Sequence, residues 1–124
     1  MKKILGLIAA VIMTSAAFSQ APVTFTDANA GYDKTTATEF HFSFTSAFTV
    51  DQIDKAAVYY TSYFTIEASA AADGGVNAVI KLVENSEMSR RVITRFFVSL
   101  EIQTIAAAGT NHPLDDFMAT YILL

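Results

Sequence analysis

The sequence predicts an α+β sandwich: one antiparallel sheet carrying two helices on one face, with a short C-terminal helix added. Three observations predict it. Phe40, Phe42 and Phe44 alternate with Glu39, His41, Ser43 and Thr45, the period of two that a strand with one buried face requires. Val50, Ile53, Ala57 and Tyr60 recur at three or four, the period of one buried helical face. The two periods then follow one another along the chain as strand, helix, strand, strand, helix, strand.

Residues 1–19 read as a cleavable secretory signal. Lys2 and Lys3 are followed by the uncharged run Ile4 to Met13 and then by small and polar residues to Ser19. The apolar run is shorter than the roughly 20 residues a membrane-crossing helix needs, and the absence of cysteine excludes a lipid attached to an N-terminal cysteine. The expected location is therefore exported, periplasmic or extracellular. Residues 20–37, rich in Thr, Ala, Asp and Asn, suit an extended leader or loop, with Val23 and Phe25 as a possible short strand. Residues 38–124 are read as a single domain.

Within that domain, Thr38 to Thr45 is the first full strand. Thr49 with Gln52 three residues later forms a capping box that opens a helix reaching about Ser62. Tyr63 to Ala70 and Val76 to Val83 alternate again around Asp73-Gly74-Gly75, a hairpin signal, because glycine reaches positive φ without steric cost. Ser86 caps a second helix from Glu87 to about Ser99, with Met88, Val92, Phe96 and Leu100 spaced at four. A last strand is expected from Glu101 to Ala106, because Ile and Thr suit a pleated surface. Pro113 with Asp115 and Asp116 then starts the short terminal helix.

Right-handed crossovers place both main helices on one side of such a sheet, the ferredoxin-like split βαβ arrangement. In element order and spacing from Thr38 to Ala106 the chain resembles the small heavy-metal-associated domains of copper chaperones. Those domains carry Cys-x-x-Cys after the first strand, where this chain has Ser46-Ala47-Phe48-Thr49. The resemblance implies a topology and no metal ligand.

Composition excludes several function classes. The 124-residue chain carries a net charge of −4, and losing Lys2 and Lys3 would make it more acidic still. Such a chain has no field to hold a phosphate backbone, so no nucleic acid is expected as partner. Without cysteine there is no zinc finger, iron–sulfur cluster, thiol chemistry or disulfide staple. Packing alone must stabilise the domain, and its 10 phenylalanines supply the apolar surface.

No catalytic constellation stands out and no cofactor is expected. His41 and His112 are read as solvated, Met88 and Met118 as isolated, and no metal site is assigned. Asp27-Ala28-Asn29-Ala30-Gly31-Tyr32-Asp33 spaces oxygens as a calcium loop would, but lacks glycine at the sixth place and an acid at the twelfth. Glu84 with Glu87 and Asp115 with Asp116 read as turn and helix-start charges. Arg90, Arg91 and Arg95 read as a basic, solvent-facing helical patch bridged to Glu87.

The surface that draws attention is the sheet face without helices, expected to carry Glu39, His41, Tyr63, Thr65, Glu67, Val79, Lys81, Glu101 and Gln103, with Lys81 paired to Glu39. A mixed face of this kind suits an unknown protein or small ligand, or a second copy in a homodimer. The expectation is a non-enzymatic exported binding or interaction module. The alternative is a cysteine-free relative of the metal chaperones that handles metal through His41 and carboxylates, and a small hydrolase ranks third.

Overall fold

Short-range pattern and long-range pairing both contribute to the architecture seen in a computed structural model, which describes residues 21–124. The signal sequence read at residues 1–19 lies outside the described residues. The elements are β1 (Val23–Phe25), β2 (Glu39–Phe44), α1 (Val50–Ala57, extended by a single 3₁₀ turn, Val58–Tyr60), β3 (Phe64–Ala70), β4 (Val76–Leu82), α2 (Glu87–Ser99), β5 (Thr104–Ala107), β6 (Thr110–Pro113) and α3 (Leu114–Phe117), which continues as a π-helical turn over Met118–Ile122.

The strands form one six-stranded sheet in the order β3-β4-β2-β1-β5-β6. All neighbours are antiparallel except β1 and β5, which run parallel. This overturns the ferredoxin-like expectation of a purely antiparallel sheet with two helices: the sheet is mixed, has two more strands, and carries three short helices. One reason is β1. Its three residues lie between β2 and β5, with Val23 opposite both Phe44 and Ile105 and Phe25 opposite both Phe42 and Ala107. The stretch read as a leader thus contributes an interior strand.

The second reason is the hairpin from β5 to β6. Ala108 and Gly109 both adopt positive φ, 52° and 79°, the type I′ turn whose twist suits a two-residue hairpin. At the β3–β4 hairpin, Gly74 has φ 91°, and a Cβ on Gly75 would lie 2.2 Å from the Phe44 carbonyl oxygen. Only glycine lets the turn approach β2 that closely.

The capping box forms as its spacing indicates, with the Gln52 amide donating to Thr49 Oγ1 at 3.1 Å and the Thr49 amide donating to Gln52 Oε1 at 2.9 Å. Ser86 Oγ likewise accepts from the Ser89 amide at the start of α2. The core holds Phe25, Phe40, Phe42, Phe44, Phe64, Phe96, Phe97 and Phe117, with Ile53, Ile80 and Ile93. Ile66 and Leu82 pack at its margin. Phe25 and Phe42 meet Phe117, so α3 lies on the same sheet face as the other two helices. Among the described residues no helix is long and apolar enough to cross a membrane.

Candidate functional site

With the helices stacked on one face, the odd-numbered residues of β2 and β3 point to the other. Glu39, His41, Thr65 and Glu67 are exposed, Val79 and Lys81 half-buried. The register aligns Glu39, Lys81 and Thr65 in one cross-strand row and His41, Val79 and Glu67 in the next. Lys81 bonds Glu67 Oε2 at 2.5 Å, diagonally, and not the directly opposite Glu39 that the sequence suggested. The hydrogen bond to Glu67, and then its charge, raise the Lys81 pKa.

Tyr63 sits apart from these rows. It precedes β3, its carbonyl accepts from the Val83 amide, and it is 37% exposed.

Glu101 and Gln103 are not on the sheet face, a correction to the sequence reading. Here α2 ends in a Schellman motif: the Glu101 amide donates to the Val98 carbonyl, the Ile102 amide donates to the Phe97 carbonyl, and Glu101 takes the left-handed position with φ 61°. Closing the helix this way delays β5 to Thr104. Glu101 and Gln103 instead line a cleft of about 570 Å³ between the end of α2 and the start of α3, together with Val98, Ile102 and Leu114.

His41 is held from a second element. Its ring Nδ1 lies 3.0 Å from Asp27 Oδ2, and its amide donates to the same oxygen at 2.8 Å. Glu39, His41, Asp27, Tyr32 and Asp33 border a hollow of about 330 Å³. With Nδ1 fixed by Asp27, the pair leaves Nε2 as the ring atom available to a ligand. The Thr26 hydroxyl donates to the His41 backbone carbonyl, so β1 and the strand carrying His41 are tied at this point as well.

The oxygens of the calcium-like loop turn inward on their own backbone. Asn29 Oδ1 accepts from the Gly31 amide and Asp33 Oδ1 from the Thr35 amide and hydroxyl, while Asp27 holds His41. The side-chain hydrogen bond from Thr35 keeps the Asp33 carboxyl below its usual range. Among the described residues no group of three or more His, Cys, Asp or Glu side chains is placed to hold a metal ion. His112 lies on β6 with its ring beside Tyr121, far in the register from His41.

Arg90 corrects the basic-patch reading. Arg91 does bridge Glu87 on the surface, but Arg90 is 0% exposed. Its Nε donates to Asn85 Oδ1 at 3.0 Å, Nη1 to the Ile122 carbonyl at 2.6 Å and Nη2 to the Ala37 carbonyl at 2.8 Å, and the guanidinium lies over the Phe40 ring. Burial lowers its pKa, opposed by the negative charge that Tyr32 would carry once deprotonated. Tyr32 donates its hydroxyl to the Tyr121 carbonyl and Lys34 Nζ donates to the Ala119 carbonyl. Three donors from outside the C-terminal segment thus serve carbonyls of the π-helical turn, which ends at Ile122 and so leaves its last carbonyls without intrahelical donors.

Burial, partly opposed by Arg90, pushes the Tyr32 hydroxyl up from 10.0 to about 12. The folded protein therefore holds this proton more tightly than the unfolded chain. Its contribution to stability is complete below pH 10 and is lost as pH rises towards 12. Ultraviolet titration of the wild type and Tyr32→Phe should differ by one phenolate that forms at about pH 12. A difference centred on pH 10 would contradict the placement.

The chain matches no protein-family model, no curated protein and no solved structure.

Proposed function

We propose that this protein is an exported, non-enzymatic binding module that recognises a protein or small ligand through the bare face of its sheet. The observation that carries the reading is the one-sided packing of the helices, which leaves the β3-β4-β2 rows carrying Glu39, His41, Thr65, Glu67, Val79 and Lys81 towards solvent. The face mixes both charge signs with an aliphatic residue and an aspartate-braced histidine. Such a surface offers both register and contact area to a partner. The positive, apolar and small-residue zones of residues 1–19 support export to the periplasm or cell exterior.

Photo-crosslinking in the native cell envelope tests it. A benzophenone amino acid at Thr65 or Glu67 should give one discrete adduct, of doubled mass if the partner is a second copy. The adduct should vanish with Lys81→Glu and be absent when the probe stands at Asp54 on exposed α1. Equal adducts from all positions, or none from the sheet, would overturn the reading.

A further inference from the structure

The cleft between α2 and α3 is a second site, independent of the sheet face. Its walls are apolar: Ile102 is buried at its base, Pro113 and Leu114 form one side, and Val98, 59% exposed, forms the other. Its charged lining is of one sign. Glu101 and Asp115 border the cleft, and among the described residues no lysine or arginine does.

The end of α2 adds to this. The C-terminal end of a helix carries partial negative charge that basic residues usually complement, yet the last turn of α2 contains none. Glu101 then places a full negative charge immediately after it. An apolar cleft with two carboxylates and an uncompensated helix terminus is complementary to a hydrocarbon body bearing one positive group. We infer that this cleft binds a small amphipathic organic cation, its hydrocarbon part against Val98, Ile102 and Leu114 and its ammonium group between Glu101 and Asp115.

Glu101 is also a costly choice for the position it holds. A non-glycine residue at φ 61° is less stable there than glycine, which commonly ends helices in this way. The strained position is thus occupied by a side chain that borders the cleft with a carboxylate.

The probe is n-octylammonium below its micelle-forming concentration, compared with octanoate and octanol and followed by ¹H–¹⁵N correlation spectra of the full mature chain. Octylammonium should shift Val98, Ile102 and Leu114 saturably, and octanoate should bind at least about tenfold more weakly, because two carboxylates and a helix terminus act on its charge together. Glu101→Gln and Asp115→Asn should each weaken octylammonium binding by about two- to fivefold. Val98→Lys, at an exposed position where a cation suits the helix end, should abolish binding while leaving the melting temperature intact. Glu101→Gly should raise the melting temperature while weakening binding. Equal binding of octanoate or octanol, shifts centred away from the cleft, or unaltered affinity in Val98→Lys and Glu101→Gln would overturn the assignment.

Discussion

Replacing Arg90 by leucine should lower the unfolding free energy by about 3–5 kcal/mol. Leucine fills part of the space but leaves one buried and two part-buried acceptors without their donor, at roughly 1–3 kcal/mol for the buried one and less for the others, and forfeits the packing of the guanidinium on the Phe40 ring. The acceptors are the Asn85 side-chain oxygen and the carbonyls of Ile122 and Ala37, which belong to three separate segments. Among the described residues no carboxylate pairs with this buried cation; the Asn85 side-chain oxygen, two backbone carbonyls and the Phe40 ring surround it. Geometry therefore matters more than charge. Arg90→Lys, with one ammonium in place of a planar fork, should recover less than half of the loss. Urea unfolding followed by circular dichroism measures both. A loss below about 1 kcal/mol, within the range of ordinary surface substitutions, would mean that Arg90 does not hold the C-terminal turn.

Arg90 also marks where the sequence was readable and where it was not. The boundaries of β2, β4 and α2 fall within about one residue of those the periodicity predicts, because each element buries one face and the pattern records that burial directly. The stripe at a spacing of four matches the buried face of α2 only at Val92 and Phe96. A row spaced strictly at four drifts around a helix of 3.6 residues per turn. Met88, at its start, is 55% exposed, and the buried face runs instead through Arg90, Ile93 and Phe97 with Val92 and Phe96. An arginine in line with an isoleucine and a phenylalanine at three and seven was the signal of a buried cation.

The misread topology has a different physical cause. Val23-Thr24-Phe25 is too short to display a period, and its place is fixed by pairing with Phe44 and Ile105, contacts far away in sequence. Without that strand, the β2-α1-β3-β4-α2-β5 order reads as a purely antiparallel sheet. The end of α2 was obscured because a glutamate occupies the left-handed position where glycine would have announced a stop. For the same reason the cleft was invisible: it exists only because α2 closes before Gln103 and because the Leu114 amide donates to the Gln103 carbonyl, drawing the start of α3 alongside. Six of the residues assigned to the open face, Glu39, His41, Thr65, Glu67, Val79 and Lys81, were legible because alternation on two hairpin strands and β2 suffices to sort faces. The Asp27 brace on His41 was not, since no local pattern joins a loop to a strand 14 residues on.

Phe42→Ala should cost about 3–5 kcal/mol, the range for removing a large aromatic side chain from a core that relaxes incompletely. Phe42 is 2% exposed and stands where three parts of the fold meet: its ring centroid lies 5.2 Å from Phe25 of β1, 5.1 Å from Phe97 of α2 and 6.1 Å from Phe117 of α3. Two of these contacts are edge-to-face, an arrangement worth about 0.5–1.5 kcal/mol per pair beyond area alone. The half-buried Phe48, whose ring meets Phe44, is the control, and Phe48→Ala should cost about half as much or less. Chemical denaturation of the two variants decides the matter: a Phe42→Ala loss under about 1 kcal/mol, or one no larger than that of Phe48→Ala, would reverse the assignment of the β2 faces. The binding reading depends on the same alternation, because it is the seating of Phe40, Phe42 and Phe44 against the helices that turns Glu39 and His41 outward.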